Sequence, residues 1–446
     1  MSNSDLAVAV IGAGPVGLAA AAHLVRRGLR PLVFEAGPDV GHAVSRWRHV
    51  RMFSPWRYGI DAAARALLES TNWTPPDPDH HPTGAELIRD YLVPLANVPP
   101  IRSALFLDAR VIAVGRRGFA KVRTAGRDRA PFVITVAHSD GTRAMYEARA
   151  VIDASGTYLT PNPAGSGGLP AAGEVEAQAN VFYGIPDVLG IDRPRYAGRR
   201  VMVVGSGHSA MNALLDLCAL RQQEPSTEIH WVLRRDDVGT VYGGGTADQL
   251  PARGELGLRT RAVVESGQVR VVAPFHIRAI DRSGEALHVI GETRAGLDEV
   301  AVDELVVATG FRPDFSFLRE IRLALDPALE SAAALGPLID PNVHSCGTVP
   351  PHGVEQLRHP EPDFYIVGMK SYGRAPTFLL ATGYEQVRSV VAALASDIEA
   401  ARRVELVLPE TGVCSEPKPH GIAATAACCD TPAARPRVQV TARTCC

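Results

Sequence analysis

The chain has 446 residues, a length that predicts two or three domains of ordinary size. Its 46 basic and 48 acidic residues nearly cancel, so the charge does not favour a nucleic acid or an anionic membrane as a partner. The balanced charge instead favours small molecules as partners. No stretch offers the roughly twenty uninterrupted apolar residues that a membrane span requires, so we expect no membrane partner.

The first predicted elements are a strand, a helix and a second strand. Residues 7–11 are apolar and predict a buried strand, residues 12–28 predict a helix that opens on glycines, and residues 31–35 predict another strand. This order is typical of a βαβ unit. Because the first strand begins so close to Met1, no secretion signal fits before it, and we expect a cytoplasmic protein.

A glycine motif joins the first strand to its helix. Gly12 permits a tight turn, Gly14 lets the backbone approach a pyrophosphate, and Gly17 lets the helix and the strand pack closely. Glu35, at the end of the second strand, is the expected acceptor for ribose hydroxyls. Together they predict a dinucleotide site, to which two neighbours also belong, Pro15 and Ala36.

The middle of the chain repeats this order of elements. Residues 132–137 and 143–148 predict a hairpin around an Asp-Gly turn. Residues 200–204, 205–220 and 228–233 then predict a second strand, helix and strand. The fold class is therefore α/β, with two Rossmann-like dinucleotide-binding domains, the second inserted into the first.

The second glycine motif opens the second helix. Gly205 and Gly207 again follow a run of apolar residues, but the second strand of this unit ends in Arg234 and Arg235 instead of an acidic residue. Guanidinium groups at this position suit the 2′-phosphate of NADPH, while two solvated arginines on a loop are the alternative. Three further residues of the motif belong to the predicted NADPH site, namely Ser206, His208 and Ser209.

Small residues follow two further strands. Ala154 and Gly156 follow one of them, and Ala308, Thr309 and Gly310 follow the other. Small residues let a chain lie against a cofactor where it crosses between domains. We expect the first pair at the first dinucleotide and the second set at NADPH.

The remaining body of the chain completes the domains. Strand-rich stretches are expected at 269–280 and 286–290, a strand at 304–309 and a helix at 377–395. The first domain is predicted to have a first part at residues 1–165 and a second part at 305–405. The inserted domain lies between them at 166–304, and a tail follows at 406–446.

The tail is rich in Pro, Ala, Thr and Ser from Thr411 onward, which predicts disorder. Neighbouring thiolates in it suit the capture of a soft metalloid ion such as arsenite, because a disulfide between neighbours closes a strained ring. A terminus without a selected function is the alternative. The candidate ligands are Cys414, Cys428, Cys429, Cys445 and Cys446.

These motifs and their order resemble the two-dinucleotide-binding-domain flavoproteins over residues 5–400. Trp47, the run 308–311 and Phe182-x-Gly184 look like the flavin-containing (class B) monooxygenases in particular. Residues 53–56 and 369–376 look like flavin monooxygenases encoded in arsenic-resistance operons.

The identifying monooxygenase sequence FxGxxxHxxxY/F has His at the position of Val188, and relatives have Asp at the position of Met369. The resemblance implies FAD at the first glycine motif and NADPH at the second, with hydride passing from nicotinamide to flavin. It also implies that O₂ then adds to the flavin, giving a C4a-(hydro)peroxide that oxygenates a soft small-molecule nucleophile.

The resemblance also implies further site residues. It leaves open a link to arsenic detoxification and a homodimer. The implied flavin contacts outside the motifs are Trp47, Val111, Gly368 and Thr377. The candidate active-site residues are Trp56, Arg57, Lys370, Tyr372 and Arg374.

Two other functions stay open. The sequence has no CxxC or CxxxxC pair, which argues against an ordinary disulfide reductase. An NADPH-dependent flavin reductase would instead use the tail thiols for disulfide or metalloid reduction. A non-enzymatic metalloid-binding or redox-sensing flavoprotein is the second alternative.

Overall fold

Each of the two predicted nucleotide units forms a parallel sheet. The computed structural model describes residues 5–243, 245, 250–284, 286–343, 349–375 and 378–406. These residues belong to one compact unit, so the predicted domain boundaries stay predictions. Thr377 and the five tail cysteines lie outside the described residues, and their roles stay predictions as well.

The strands are, in chain order, β1 (Val8–Ile11), β2 (Pro31–Phe34), β3 (Leu105–Phe106), β4 (Ala109–Arg116), β5 (Phe132–His138), β6 (Arg143–Ala148), β7 (Ala150–Asp153), β8 (Val181–Tyr183), β9 (Arg200–Val204), β10 (Glu228–Val232), β11 (Arg270–Val272), β12 (His276–Ser283), β13 (Ala286–Thr293), β14 (Gly296–Val302), β15 (Glu304–Val307) and β16 (Phe364–Ile366).

The α-helices are α1 (Pro15–Arg26), α2 (His42–Ser45), α3 (Ala62–Leu68), α4 (Gly84–Leu87), α5 (Val93–Ala96), α6 (Pro99–Arg102), α7 (Arg193–Tyr196), α8 (His208–Gln223), α9 (Pro251–Glu265), α10 (Gly336–Ile339), α11 (Leu380–Leu394) and α12 (Ile398–Arg402). Within the described residues, none of these helices has the length and apolar character needed to cross a membrane.

The first sheet has the strand order β16-β7-β1-β2-β3, and all its strands run parallel. Every residue of β1 is buried, as expected for a parallel strand covered on both faces. Helix α1 packs against α11 through its buried, Ala-rich surface. Because β16 follows the second sheet in the chain, the first sheet is interrupted and later completed.

The second sheet has the order β11-β10-β9-β15-β8 and is also parallel throughout. Strands β9 and β15 are neighbours, so Val204 and Val307 end side by side. Helix α8 leaves the end of β9, as α1 leaves the end of β1. The predicted fold class, with the second Rossmann-like unit inserted into the first, is confirmed.

Two antiparallel sheets accompany the parallel ones. The predicted hairpin is confirmed by the pairing of β5 with β6, and β4 adds a third strand. The strand-rich stretch at 269–280 consists of β11, in the second parallel sheet, and β12, in the sheet β12-β13-β14. Pro274 lies between them, and proline has no N–H group to donate to a strand ladder.

A buried ion cluster ties the first antiparallel sheet to the segment that precedes β16. Glu361 accepts hydrogen bonds from Arg127 at 2.6 Å and from Arg116 at 2.9 Å, and all three side chains are inaccessible to solvent or nearly so. Burial alone would raise the pKa of Glu361, but the hydrogen bonds from the two arginines hold it below its ordinary value. The carboxylate therefore stays ionised inside the protein.

We expect Glu361→Ala to lower the free energy of unfolding by about 3–5 kcal/mol, because it leaves two buried guanidinium groups without their carboxylate. Urea unfolding checks this. The matched control is Glu147→Ala, which removes an exposed pair with Arg117 and should cost at most about 1 kcal/mol. Equal losses in the two variants would contradict the assigned importance of the cluster. Since the pKa of Glu361 is lowered, its contribution should disappear as the pH falls through that pKa.

Candidate functional site

The first glycine turn brings the backbone of three segments together. Gly12 has φ +99°, and a Cβ atom there would overlap the carbonyl group of Ala154. A Cβ on Gly17 would overlap the carbonyl oxygen of Gly12, so the helix approaches its own turn at a distance that only glycine allows. A Cβ on Gly14 would meet nothing within 4 Å, because this glycine faces open space. These are the three roles that the motif predicts.

Glu35 locks the end of β2 to the same turn. Its two carboxylate oxygens accept the backbone N–H groups of Ala13, at 2.8 Å, and Gly37, at 3.0 Å. A carboxylate has four lone-pair sites, so acceptor capacity remains for ribose hydroxyls. Glu35 is nearly buried, and it forms part of the wall of the adjoining cavity.

The first pocket is a cavity of about 330 Å³ at the carboxyl end of the first sheet. Its wall contains most of the predicted first-site residues, namely Gly12, Gly14, Pro15, Glu35, Ala36, Val111, Ala154, Gly156 and Gly368. Ser155, which lies between two of these residues, and Met369, which follows Gly368, also line the wall. Sequence reasoning missed Phe317 and Phe378 in this wall, because no motif marks them.

Two described first-site residues, Gly17 and Trp47, do not line this pocket. Gly17 packs against the turn at Gly12, while Trp47 packs beside the first hydrophobic core, where a Cβ on Gly84 would touch its ring. The remaining predicted contact, Thr377, lies outside the described residues.

The second pocket is a cavity of about 350 Å³ at the carboxyl end of the second sheet. It is lined by Gly205, Ser206, Gly207, Ser209, Arg234, Arg235, Ala308, Thr309 and Gly310, all of which were predicted. Gly205 has φ +128° and a Cβ there would overlap the carbonyl group of Ala308, whereas a Cβ on Gly207 would meet nothing. The second turn thus repeats the geometry of the first.

Three residues predicted at the second pocket, His208, Arg234 and Arg235, differ in their surroundings. His208 does not line the cavity, and its ring contacts that of Phe53 with 5.4 Å between the ring centroids. Arg234 donates to the carbonyl oxygen of Ser166 at 2.8 Å, while Arg235 is exposed. A guanidinium group anchored to the loop beside the pocket is suitably placed for a phosphate.

A buried glutamate organises the loop that forms one wall of the second pocket. Glu174 accepts the N–H groups of Ala164 and Ala171, both at 2.8 Å, and the hydroxyl of Tyr183 at 2.7 Å. Ala164 itself lines the pocket. Nothing in the sequence pattern marks Glu174, because its role depends on donors that the loop brings together.

The two small-residue segments pair with each other. Asn162 N donates to the carbonyl oxygen of Gly310, and Arg312 N donates to that of Thr160, both at 2.9 Å. The hydroxyl of Thr309 donates to the carbonyl oxygen of Asn162, also at 2.9 Å. The two chain crossings therefore form one short backbone ladder between the pockets.

The turn after β16 is where the two pockets meet. Met369 lines both of them, and Arg374 lines the second. The side chain of Gln386 anchors this turn. Its Oε1 accepts a hydrogen bond from Gly368 N at 2.7 Å, and its Nε2 donates one to Ser371 Oγ at 2.9 Å. The shared wall is therefore fixed to helix α11.

His352 and Tyr372 lie behind this wall. The side-chain amide of Gln386 also contacts His352 Nε2 at 2.9 Å, and burial lowers the pKa of His352, so its imidazole is held neutral. The ring of the candidate Tyr372 lies tilted beside that of His352 and edge-on to that of Phe378, and burial raises the pKa of Tyr372 above its ordinary value. Tyr372 thus supports the wall without lining either pocket.

The other active-site candidates are separated from the pockets. Lys370 is completely buried in an ion pair with Asp153, with 2.7 Å between Nζ and Oδ2. Trp56 is 1% exposed and belongs to the first core. Arg57 pairs with Asp79 and lines a different cavity. The structure thus places these three residues in packing and ion-pair contacts outside both pockets.

Cys218 and Val188 bear on the two enzyme alternatives. Burial raises the pKa of the Cys218 thiol to about 11, so it is no ready thiolate. Val188 is completely buried in the second core, where an imidazole would be costly to place. Among the residues that the structure describes, no cluster of His, Cys, Asp and Glu could hold a metal ion.

Solved structures with the same fold come from different enzyme classes. A bacillithiol disulfide reductase from Bacillus cereus has 19% identity and a TM-score of 0.64, over 88% of this chain and 99% of its own. A thioredoxin reductase from T. acidophilum has 15% identity and a TM-score of 0.55, over 88% and 98%. A flavin-containing monooxygenase from Stenotrophomonas maltophilia has 21% identity and a TM-score of 0.51, over 88% and 98%.

A search among curated proteins found no match to the sequence. The profile of a family described as pyridine nucleotide-disulphide oxidoreductase does match, at residues 9–333. The match includes both glycine motifs and both chain crossings. It confirms FAD and NADPH as the predicted cofactors, and the open space beside Gly14 and Gly207 fits them. The chain therefore belongs to the pyridine nucleotide-disulphide oxidoreductase family.

Proposed function

We propose that the chain is an NADPH-dependent FAD monooxygenase that oxygenates a soft small-molecule nucleophile. The observation that carries this proposal is the shared wall at Met369, which lets the two cofactor pockets meet with no thiol from a described residue between them. When the cofactors are bound, NADPH supplies hydride and FAD delivers the electrons to O₂.

The first pocket gives such a reaction a sheltered site. Phe317, Met369 and Phe378 are among its lining residues, so apolar side chains form part of the wall that would enclose FAD. Apolar walls exclude water, and the exclusion of water slows the decay of a reactive intermediate. The second pocket would hold NADPH through the helix N-terminus at Gly207 and through Arg234 and Arg235.

A buried triad positions the turn that borders the first pocket. Asp153 accepts the N–H and the hydroxyl of Ser155 at 3.1 and 2.6 Å, and Lys370 donates to Asp153 at 2.7 Å and to Ser155 at 3.1 Å. Since Ser155 lines the pocket, the triad fixes this part of its wall. Lys370 is accordingly a positioning residue in this proposal.

The tail and a link to arsenic detoxification form the finer part of the proposal. Neighbouring thiolates at Cys428–Cys429 and Cys445–Cys446 suit a soft metalloid ion, which would be held near an enzyme that acts on soft nucleophiles. A reductase that uses these thiols is the second candidate. It is favoured by the family and by the similarity to the bacillithiol disulfide reductase.

Removing residues 411–446 separates the two candidates. For a monooxygenase, NADPH oxidation and O₂ consumption should stay within about twofold of those of the full chain, because the tail takes no part in the oxygen reaction. Stopped-flow absorbance of the NADPH-reduced, FAD-loaded protein mixed with oxygenated buffer should show a transient band between the reduced and oxidised flavin spectra. Loss of turnover on truncation, or reoxidation without such a band, would favour the reductase.

Lys370→Met should reduce the free energy of unfolding by about 3–5 kcal/mol and weaken FAD retention, because Asp153 becomes a buried, unpaired charge. The double variant Lys370→Met/Asp153→Asn should regain most of this loss. Urea unfolding and the fluorescence of released FAD check both variants, with the exposed Lys121→Met as the control. If the double variant were as unstable as the single one, the unpaired charge would not be the cause.

Glu174→Gln should raise the Kd for NADP⁺ about tenfold and leave FAD binding unchanged. The change replaces a charged acceptor of three hydrogen bonds, and hydrogen bonds to charged groups contribute about 1.5–3 kcal/mol each. Titration of the FAD-loaded protein with NADP⁺ measures the effect. The exposed neighbour Glu176→Gln is the control and should bind NADP⁺ like the unchanged chain. A normal affinity in Glu174→Gln would show that the loop does not need this anchor.

A further inference from the structure

Two arginines from different parts of the chain converge on one glycine. Gly168 lines the second pocket and has φ +78°. A Cβ atom on it would lie 3.8 Å from Nη2 of Arg374 and 3.9 Å from Nη2 of Arg312. Arg312 follows the second chain crossing, and Arg374 follows β16. Glycine at this position thus leaves a small space open between two guanidinium groups.

Neither guanidinium group has a carboxylate partner among the residues that the structure describes. Arg312 is half-buried, and its Nε donates to the side-chain oxygen of Asn162 at 3.1 Å, which leaves its Nη2 beside the space at Gly168. Arg374 is exposed, and its hydrogen bond to Leu329 involves only the backbone. Two like charges held close together repel each other, and an anion bound between them would offset this repulsion.

The expected phosphates of NADPH have other positions in the same pocket. The pyrophosphate belongs at the start of helix α8, beside Gly207, and the 2′-phosphate belongs at Arg234 and Arg235, beyond the end of β10. The arginines at Gly168 therefore remain available for a third anionic group. Arg374 shares the pocket wall with Met369, which also lines the first pocket. The space at Gly168 and the wall that both pockets share therefore belong to the same cavity.

We propose that Arg312 and Arg374 bind a carboxylate or phosphate group of the substrate and orient its nucleophilic atom toward the first pocket. The substrate class is then a small molecule that carries an oxyanion at one end and a soft nucleophile at the other. Arginine suits this task because its planar group binds such oxyanions through two parallel hydrogen bonds. This inference rests on the proposed function for its substrate, although the binding itself requires no turnover.

Isothermal titration calorimetry with inorganic phosphate as the probe tests the site. The full chain is first saturated with FAD and NADP⁺, so that the phosphate positions of both cofactors are filled. The unchanged protein should bind phosphate, and Arg312→Met and Arg374→Met should each weaken this binding at least about tenfold. The control is Arg319→Met, an exposed arginine outside the pocket, which should bind phosphate normally.

Two results would overturn the assignment. The first is that phosphate does not bind to the cofactor-saturated chain, or binds equally to all variants. The second is that Arg312→Met and Arg374→Met lower the affinity for NADP⁺ about tenfold, which would assign the pair to the cofactor. FAD content and the thermal unfolding midpoint, compared with Arg319→Met, identify a variant that is merely misfolded, and Arg312→Lys and Arg374→Lys then replace it. Because these titrations involve no O₂, their outcome is independent of the monooxygenase proposal.

Discussion

The backbone ladder between the two chain crossings is the contact on which the rest of the site depends. Hydrogen bonds join Asn162 to Gly310 and Arg312 to Thr160, so the end of β7 and the end of β15 are held as one unit. The first crossing enters the wall of one pocket and the second enters the wall of the other. Any distortion of this ladder would therefore be transmitted to both cofactor sites.

The sequence was sufficient for the two glycine turns because their requirements are local. Gly12 and Gly205 have positive φ angles and lie against carbonyl groups, while Gly14 and Gly207 border open space. The positions of Gly12 and Gly205 admit essentially glycine alone, and those of Gly14 and Gly207 leave room for a cofactor, so the spacing of the motif carries the geometry with it. The insertion of a second sheet followed from the repetition of the same unit along the chain.

Side-chain roles were harder to predict because they depend on partners distant in the chain. Lys370 was expected in the active site, but its partner Asp153, more than two hundred residues earlier, draws it behind the pocket wall. Trp56 was also expected in the active site, and it is part of the first hydrophobic core. Glu174 was not predicted, because its three hydrogen-bond donors become neighbours only when the loop folds. Burial and pairing of this kind have no periodicity that a sequence pattern could reveal.

The distribution of charge distinguishes structure from binding in this protein. Arg127 and Lys370 are deeply buried, and each has a carboxylate within hydrogen-bond distance, because an unpaired charge in the interior is costly. Arg235 and Arg374 line the second cavity, Arg312 lies beside Gly168 in its wall, and none of the three has such a partner within the described residues. Solvent reduces the repulsion among them but supplies no fixed counter-charge. The buried charges of Arg127 and Lys370 have a partner of opposite charge. For the arginines of the second pocket, we expect that partner to be an anionic group of a bound ligand.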